Sequence, residues 1–320
     1  KGASPNSIRS YRLFTGYVRR YLPTANARDM RSLDFIRFED KLLLPKKKKG
    51  QGLSQNSVRN VHDFILGAYK FFVKAGICEF NPMHDVDKPV LETHEATALN
   101  VTDFKALEAQ LKPLLKPTVL DKRAYRKALN AFAAWLALRT GMRCGEVCAV
   151  RPGEVFRAAK YIHVGGTVIE EKKKKPYRRD VTKGRKCRNI GITETDIAAI
   201  DAFMELRKAF CGDLPSDAPL ITMDGSYCRP TSISRAFTTI AKACKLPEGF
   251  TFHDLRHTHA TWLLVNGVDL KTVSERLGHA DEATTLRTYA HVLPGRDAWA
   301  ATVFEQAASQ ASAGLNEVLQ

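Results

Sequence analysis

The chain has 320 residues, of which 44% are hydrophobic, and this apolar share argues against wholesale disorder and supports two packed domains. Lysine and arginine outnumber the acidic residues by 50 to 34, and the net charge of +16 favours a polyanionic partner, although a basic enzyme without a nucleic-acid role can have the same balance. No stretch approaches the roughly 18 consecutive apolar residues that span a bilayer. Seven scattered cysteines without a CxxC pair indicate reduced thiols, typical of a cytoplasm, and argue against disulfides or a zinc ribbon.

The amino-terminal part of the chain has the pattern of short helices. Apolar residues recur at helical spacing over Ser7–Tyr21, and a second amphipathic helix follows Ser54 or Asn56, either of which can cap it. The basic run Lys46–Lys49 lies between these helices and predicts a solvated loop. A polar, proline-bearing stretch then predicts a linker. We place a helical domain at 1–92 and the linker at 93–98.

The pattern becomes longer and richer from about residue 98. Thr102 can cap a helix, and Tyr125–Arg139 has one apolar face, with Gly141 placed to end that helix. Strand-like segments follow at 161–164, 167–171 and 187–192, and helices return at 193–210, 231–245, 253–265, 269–277 and 282–290. We therefore expect a mainly α fold with one small antiparallel β-sheet (α+β). We place the larger domain at 99–295 and a tail helix at 296–320.

Side chains suited to phosphate chemistry occur together near the carboxyl terminus. Arg256 follows His253 by three residues, so one helical turn directs both side chains to the same place. Arginine suits a phosphodiester because its planar fork donates two hydrogen bonds and keeps its charge. Tyr289, with an ordinary pKa of about 10, needs a base or nearby cations to attack at neutral pH. His253 and His279 can supply these, and Arg143 follows a glycine turn that can expose it.

The order and spacing of these residues resemble the signature of the phage-integrase-type tyrosine recombinases. In that family an arginine in a turn is followed three residues later by an acidic residue, which Arg143 and Glu146 match. The HxxR box of the family is matched by His253 with its arginine, and the LGH box by His279. The tyrosine comes ten residues after that histidine, where nine is frequent. The match covers roughly residues 98–293.

The active-site lysine of the family comes from a β-hairpin, in a KGxxxR pattern before an apolar strand. The segment TKGRKCRNIGI fits this pattern and points to Lys183, with Arg188 completing it. Lys172–Lys175 and Lys186 occupy the same hairpin region and remain alternatives.

The resemblance implies a site-specific DNA recombinase made of a helical core-binding domain and a catalytic domain. Tyr289 would attack the scissile phosphate to form a 3′-phosphotyrosyl link, and Lys183 would protonate the leaving 5′ oxygen. Arg143, Arg256 and His279 would stabilise the transition state, and His253 would assist proton transfer at the tyrosine. We expect Glu146 and His257 to support these groups without contacting the phosphate.

The same resemblance predicts the partners. They are double-stranded DNA with a specific recombination site, three further copies of the chain in a tetramer on DNA, and accessory DNA-bending proteins. It implies no cofactor, no metal and no membrane, and a bacterial, phage or other mobile-element source, with integration or excision as the outcome. The tail at 296–320 would dock on a neighbouring protomer or pack on its own domain. A type IB topoisomerase and a catalytically silent DNA-binding regulator are the alternatives.

Basic residues outside the signature are candidates for phosphate contacts with sequence-independent, salt-sensitive affinity. The helix at 232–245 is a candidate reader of the major groove, and solvated surface charge is the alternative for the loops. The candidates are Lys46, Lys47, Lys48, Lys49, Lys173, Lys174, Arg185, Ser234, Arg235 and Lys242. His253, His257 and His259 also invite a zinc site, because His253 and His257 are one helical turn apart. No HExxH motif and no third ligand at catalytic-zinc spacing support it.

Overall fold

The computed structural model describes residues 5–24, 26–92, 97–180, 187–279, 281–290 and 300–309. The chain forms two compact units, Lys1–His94 and Glu95–Gln320. Residues 93–96 of the predicted linker lie outside the described part. No helix among the described residues is long and apolar enough to cross a membrane.

The first unit is built from helices around one core. They are α1 (Pro5–Tyr21), α2 (Ser32–Leu43) and α3 (Gln55–Lys74). Ser54 starts α3 by accepting the backbone N–H of Ser57, which confirms it as the cap. Aromatic and aliphatic side chains of α2 and α3 fill the core, with Phe38 and Val58 almost fully buried. Helix α2 is not among the helices that the sequence analysis predicted.

Two polar features stand out in this unit. The run Lys46–Lys49 is exposed and forms a single 3-10 turn, in line with the predicted solvated loop. Inside the core, His62 Nδ1 lies 2.9 Å from Glu39 Oε1, and both side chains are buried. Burial, followed by the charge of Asp40, raises the pKa of Glu39 to about 7. Burial also lowers the pKa of His62, so both shifts favour a neutral hydrogen-bonded pair.

The second unit is mainly helical, and α5 lies at its centre, packed against α4, α7, α8 and α9. The helices are α4 (Val101–Leu115), α5 (Lys122–Thr140), α6 (Cys144–Val147), α7 (Glu194–Cys211), α8 (Pro230–Ala243), α9 (Phe252–Val265), α10 (Leu270–Leu277) and α11 (Glu282–Tyr289). Residues 300–309 are also helical.

The ends of α4 and α5 test the predicted capping residues. The side chain of Asn100 accepts the N–H of Asp103 at 2.8 Å, so Asn100 caps α4 and the predicted cap Thr102 lies inside the first turn. Asparagine is at least as good a cap as threonine, and Asn100 is placed to accept the N–H of Asp103, which has no partner within the helix. Gly141 ends α5 as predicted, with a φ of 69° that favours glycine and its N–H donating to Ala137.

The strands form two small antiparallel sheets, so the prediction of a single sheet was wrong. They are β1 (Val155–Phe156), β2 (Tyr161–Val164), β3 (Thr167–Ile169), β4 (Tyr177–Arg179) and β5 (Arg188–Gly191). One sheet has the order β1-β2-β5, and β3 pairs with β4 in the other. The sequence does not reveal β4 because it has no apolar alternation. Its Arg178 is nearly buried, with Nη1 and Nη2 donating to the two oxygens of Glu154 at 2.7 and 2.5 Å. The mainly helical class with antiparallel strands is confirmed.

Candidate active site

Helix α9 carries three of the predicted site residues in its first two turns. A capping box fixes where it starts: Thr251 accepts the N–H of His253, and Asp254 Oδ2 accepts the N–H of Thr251 at 2.6 Å. The helix therefore begins one residue before His253. Arg256 and His257 follow one turn later, on the same part of the helix surface.

Arg256 is a buried cation with an incomplete set of partners. It is 2% exposed, and its Nη1 donates to the carbonyl oxygen of Gly141 at 2.7 Å. Its Nη2 has no hydrogen-bond partner among the described residues. Burial, followed by the charge of Arg143, lowers its pKa to about 9, so the side chain stays charged at neutral pH. A buried donor without an acceptor costs about 1–3 kcal/mol, which an anion such as a phosphate oxygen would relieve.

Tyr289 is enclosed beside this arginine and is not presented at the surface. It is 1% exposed, and its hydroxyl lies 2.8 Å from Nδ1 of His257. Burial raises its pKa to about 12, while the charges of Arg256 and Arg143 act to lower it. The tyrosine hydroxyl is hydrogen-bonded to His257. The family resemblance had led us to expect His253 as the residue that assists proton transfer at this hydroxyl. Unlike the nearby cations, His257 can accept the hydroxyl proton directly.

Two of the three histidines of α9, His253 and His257, lie edge to face, and burial favours their neutral forms. Their ring centroids lie 4.8 Å apart, with an interplanar angle of 87°. Burial, followed by the charges of His257 and Arg256, lowers the pKa of His253 to about 4. Burial also lowers the pKa of His257, although Asp254 opposes the shift. A neutral imidazole can accept a proton, so both rings are in the form that a general base requires.

Arg143 is held by a shared carboxylate. Glu146 Oε1 accepts from Nη1 of Arg143 at 3.1 Å and from Nη1 of Arg188 at 3.2 Å. Glu146 Oε2 accepts the backbone N–H of Arg143 at 3.0 Å and Nη2 of Arg188 at 2.8 Å. Burial alone would raise the pKa of Glu146, but the bonds to Arg188 and the charge of Arg143 prevail and lower it. The predicted supporting role of Glu146 is thus consistent with this geometry.

His279 lies at the turn between α10 and α11. Its Nδ1 is 2.6 Å from the hydroxyl of Thr285, and burial, followed by the charge of Arg256, lowers its pKa to about 4. Gly278, with a φ of 67°, brings the chain close to Arg188: a Cβ there would lie 2.8 Å from Nη1 of that arginine. The carbonyl of Gly278 also accepts Nη2 of Arg143 at 3.5 Å, which joins the LGH turn to the arginine.

Lys183 and Arg185 lie outside the described residues, in the gap 181–186. The strand that follows this gap, β5, begins with Arg188. Nε of Arg188 donates to the carbonyl oxygen of Arg276 at 2.7 Å, so the strand is fixed next to the site.

The other predicted DNA contacts fall on two surfaces. Lys46–Lys49 are exposed in the first unit. In the second unit, Lys173 and Lys174 lie in the turn between β3 and β4, and Lys174 pairs with Glu171 at 2.7 Å. Arg235 and Lys242 are exposed on α8, and Ser234 is half-buried there.

Two residues that the sequence does not single out join the β3–β4 turn to α8. Nη2 of Arg229 donates to the carbonyl oxygen of Lys174 at 2.8 Å. Glu170 accepts both the N–H and the hydroxyl of Thr231 at the start of α8, at 2.7 and 2.8 Å. The basic turn and the candidate reading helix therefore form one surface. The sequence did not indicate this contact, because Glu170 and Arg229 lie in loops and belong to no recognisable motif.

His259, considered above only as a zinc ligand, and Arg276, which no sequence pattern marks, also lie near the site. His259 Nδ1 lies 2.9 Å from the carbonyl oxygen of Leu138, and its Nε2 accepts from Nε of Arg276 at 2.9 Å. His259 is therefore turned away from His253 and His257. The described part of the chain contains no group of three or more His, Cys, Asp or Glu side chains that could hold a metal ion.

Known sequences similar to this chain are integrases and recombinases. The sequence model of the phage integrase family matches residues 108–296. The integrase of Staphylococcus phage L54a is 29% identical over 214 residues, which cover 65% of this chain and 60% of that integrase, less than two thirds of its length. The tyrosine recombinase XerC of Agrobacterium fabrum is 26% identical over 290 residues, covering 86% of this chain and 78% of XerC. XerD of Listeria innocua is 25% identical over 297 residues, covering 91% and 90%.

Solved structures share the fold. The Tn1549 transposon integrase in complex with transposon right end DNA has a TM-score of 0.76 at 19% identity, covering 96% of this chain and 95% of that chain. The recombinase XerH bound to a palindromic difH substrate has a TM-score of 0.68 at 20% identity, covering 93% and 80%. A lambda integrase dimer bound to a COC′ core site has a TM-score of 0.63 at 16% identity, covering 90% and 89%. At these identities the likeness establishes the fold.

Proposed function

The chain belongs to the phage integrase family of tyrosine-type site-specific DNA recombinases, and we propose that Tyr289 is the nucleophile with which it cuts and rejoins DNA. The observation that carries the proposal is the 2.8 Å contact between the Tyr289 hydroxyl and His257, beside the unpaired Nη2 of buried Arg256. It brings together a nucleophile, a proton acceptor and a phosphate-binding cation, all within the segment from Arg256 to Tyr289.

The reaction is a pair of transesterifications. The Tyr289 oxygen attacks the scissile phosphorus, its proton passes to His257, and the bond from phosphorus to the 5′ oxygen breaks. The leaving oxygen takes a proton from Lys183, the role expected for this lysine. The free 5′-hydroxyl of a second strand then attacks the phosphotyrosine, which releases the tyrosine. Because the number of phosphoester bonds is unchanged, the reaction requires no ATP.

The cations would stabilise the charge that develops on the non-bridging phosphate oxygens. Arg143 and Arg256 have this role as cations, and the bonds of Glu146 keep Arg143 in place. His279 is neutral, because its pKa is lowered to about 4, and would support the same oxygens by donating a hydrogen bond. His253 lies against the ring of His257 and remains the alternative base. Since Tyr289 is buried, DNA binding has to bring its hydroxyl into contact with the scissile phosphate.

The partner is double-stranded DNA, supported by the DNA complexes of the transposon, XerH and lambda enzymes. A tetramer follows from the chemistry, because exchanging two duplexes takes four cuts. The helical stretch 300–309 supports docking of the tail on a neighbouring protomer, since its Phe304 is 76% exposed. The domain limits 1–92 and 99–295, the accessory DNA-bending proteins and the cytoplasmic location belong to the same proposal.

The DNA-contacting surface proposed for the second unit consists of the β3–β4 turn and α8, with Lys173, Arg235 and Lys242 at its exposed positions. Lys46–Lys49 would contact phosphates from the first unit. Neither alternative function is favoured, because the relatives found are recombinases and integrases. A type IB topoisomerase would relax supercoils without site preference. A silent regulator would bind the same site without forming a covalent link.

A covalent-trapping experiment tests the proposal. A DNA site is first selected from a randomised duplex pool by binding to the chain, then rebuilt with a nick near the point of cleavage and incubated with the chain in EDTA. We expect a protein–DNA adduct that survives denaturation and is lost in Tyr289→Phe. Tyr125→Phe is the matched control, because it also removes a buried hydroxyl, one that donates to Thr222 at 2.9 Å away from the site. An adduct that persists in Tyr289→Phe would refute the assignment of the nucleophile.

The role of Lys183 has its own test. A 5′-sulfur leaving group needs no acid, so Lys183→Ala should slow cleavage of the ordinary 5′-oxygen substrate far more than that of the sulfur substrate. Lys186→Ala is the matched control in the same segment and should slow neither substrate selectively. Equal slowing of both substrates by Lys183→Ala would remove this lysine from the role.

A further inference from the structure

Arg276 is a largely buried arginine whose hydrogen-bond partners are all uncharged. It lies in the last turn of α10, and burial, ahead of the charges around it, lowers its pKa. Among the described residues it makes no ion pair, although a charged group removed from water usually has one. Its partners are neutral: Nε donates to His259 at 2.9 Å, and Nη2 donates to the carbonyl oxygens of Gly191 at 3.1 Å and Arg139 at 3.5 Å.

His259 is fixed in the one tautomer that can hold this arginine. A carbonyl oxygen only accepts, so the 2.9 Å contact with Leu138 requires a proton on Nδ1 of His259. Its Nε2 then carries the lone pair that accepts from Arg276. Burial, followed by the charge of Arg276, lowers the pKa of His259 to about 3, so this tautomer persists across the physiological range. The fit is close, because a Cβ at Gly141 would lie 2.8 Å from Cδ2 of His259.

A continuous path of hydrogen bonds leads from Arg276 to Arg143, one of the two arginines proposed to bind phosphate. Its own carbonyl oxygen accepts Nε of Arg188 at 2.7 Å. Arg188 binds both oxygens of Glu146, and Glu146 binds Arg143 through its backbone N–H and its guanidinium. Each link is a directional hydrogen bond; the one to Arg276 involves its backbone carbonyl, and the side chains of Arg188 and Glu146 are buried. A shift of the α10 end would therefore be passed on to Arg143.

We propose that Arg276, held by neutral His259, is a positioning residue that sets the placement of Arg143 for phosphate binding, an inference that rests on the proposed function. The pair joins α10 to the end of α5 and to the last residue of β5, Gly191. It touches no reacting atom. Its effect is to keep the arginine within the narrow geometry that transition-state stabilisation requires, where an error of about 1 Å can cost roughly 100-fold in rate.

Two substitutions at His259 separate its contacts. Glutamine places its amide oxygen near the position of Nε2 and can accept from Arg276. Asparagine is shorter, places its amide nitrogen near the position of Nδ1, and can donate to Leu138 without reaching Arg276. We expect His259→Asn to slow adduct formation on the nicked duplex by roughly 10- to 100-fold, and His259→Gln to restore most of the rate. Arg276→Leu should match His259→Asn, and affinity for DNA should be unchanged in all three variants.

A change of substrate distinguishes positioning from loss of fold. A methylphosphonate at the scissile position removes the negative charge that Arg143 neutralises, so the defect of His259→Asn should be much smaller on it than on the phosphodiester. Both rates come from one preparation, so the fraction of unfolded protein cancels in their ratio. Equal defects on the two substrates, or a His259→Gln variant as slow as His259→Asn, would overturn the proposal. Failure of the proposed function is distinct, because the wild-type chain would then form no adduct on either substrate.

Discussion

Replacing Glu146 with glutamine removes the carboxylate that joins Arg143 to Arg188. Glu146 is 2% exposed, and its two oxygens accept four hydrogen bonds from these arginines at 2.8–3.2 Å. An amide nitrogen in place of one oxygen would face those donors with further N–H groups, and Arg188 would keep an uncompensated, buried charge. Removing one member of a buried ion pair costs about 3–5 kcal/mol. We expect the lower end of this range, because Arg143 is 27% exposed and partly screened by solvent.

The chain provides a selective assay for this loss of stability. All three tryptophans, Trp135, Trp262 and Trp299, belong to the second unit, so their fluorescence during urea unfolding reports on that unit alone. Asp201→Asn is the matched control: Asp201 pairs with Arg157, but both side chains are more than 40% exposed, so we expect a loss below about 1 kcal/mol.

The pH dependence of the Glu146 effect has a definite sign. Although burial raises the pKa of Glu146, its bonds to Arg188 and the charge of Arg143 lower it overall, so the folded protein favours the ionised form. The stabilisation is complete above the unfolded pKa of about 4.3 and is lost as the pH falls through the folded pKa. The difference between wild type and Glu146→Gln should stay constant from about pH 8 to about pH 5 and shrink in more acidic solution. A difference that grows on acidification, or one no larger than that of Asp201→Asn, would refute this reasoning.

Three more outcomes can be measured. Gly278→Ala strains a φ of 67° and pushes on Arg188, so we expect a loss of about 1–2 kcal/mol or more by the same fluorescence assay, against little change for Gly153→Ala, where a Cβ meets open space. The pKa of Glu39, raised to about 7, makes the first unit lose stability as the pH rises from about 4.3 to about 7, whereas the lowered pKa of His62 acts in the opposite direction. Glu39→Gln should remove the loss attributed to Glu39, measured by hydrogen exchange of α3 amides, and a pH profile identical to that of the wild type would contradict the assignment. DNA affinity should fall steeply with salt, and less steeply once Lys46–Lys49 are replaced by glutamine; a flat salt response of the wild type would exclude phosphate contacts.

Features set by local chemistry were predictable from the sequence. Ser54 as the cap of α3, Gly141 as the end of α5 and the helix that carries His253 depend on neighbours within four residues. The mainly helical class followed from the length and spacing of the apolar patterns. The family itself followed from the order of a few side chains, Arg143 to Tyr289.

Features set by distant contacts were not predictable. Arg178 on β4 pairs with a carboxylate 24 residues away, a contact that a charged stretch without alternation does not indicate. The sequence pattern pointed to His253, the histidine of the HxxR box, as the group that assists proton transfer. That Tyr289 contacts His257 instead depends on how α11 packs against α9. Burial of Tyr289 has the same origin. No local signal could indicate that Arg276 binds a histidine and two carbonyl oxygens.

Three of the distant contacts near the site meet at one place, the carboxyl end of α5. The last carbonyl groups of a helix have no partners within it and carry partial negative charge. Here the carbonyl of Leu138 faces His259, that of Arg139 accepts Arg276, and that of Gly141 accepts Arg256. These contacts satisfy the carbonyl groups and offset part of the cost of burying two arginines without carboxylate partners. They also leave Nη2 of Arg256 without a partner, which a neutralising carboxylate at the same place would prevent. A helix end can thus hold an arginine firmly while keeping one of its donors for a phosphate.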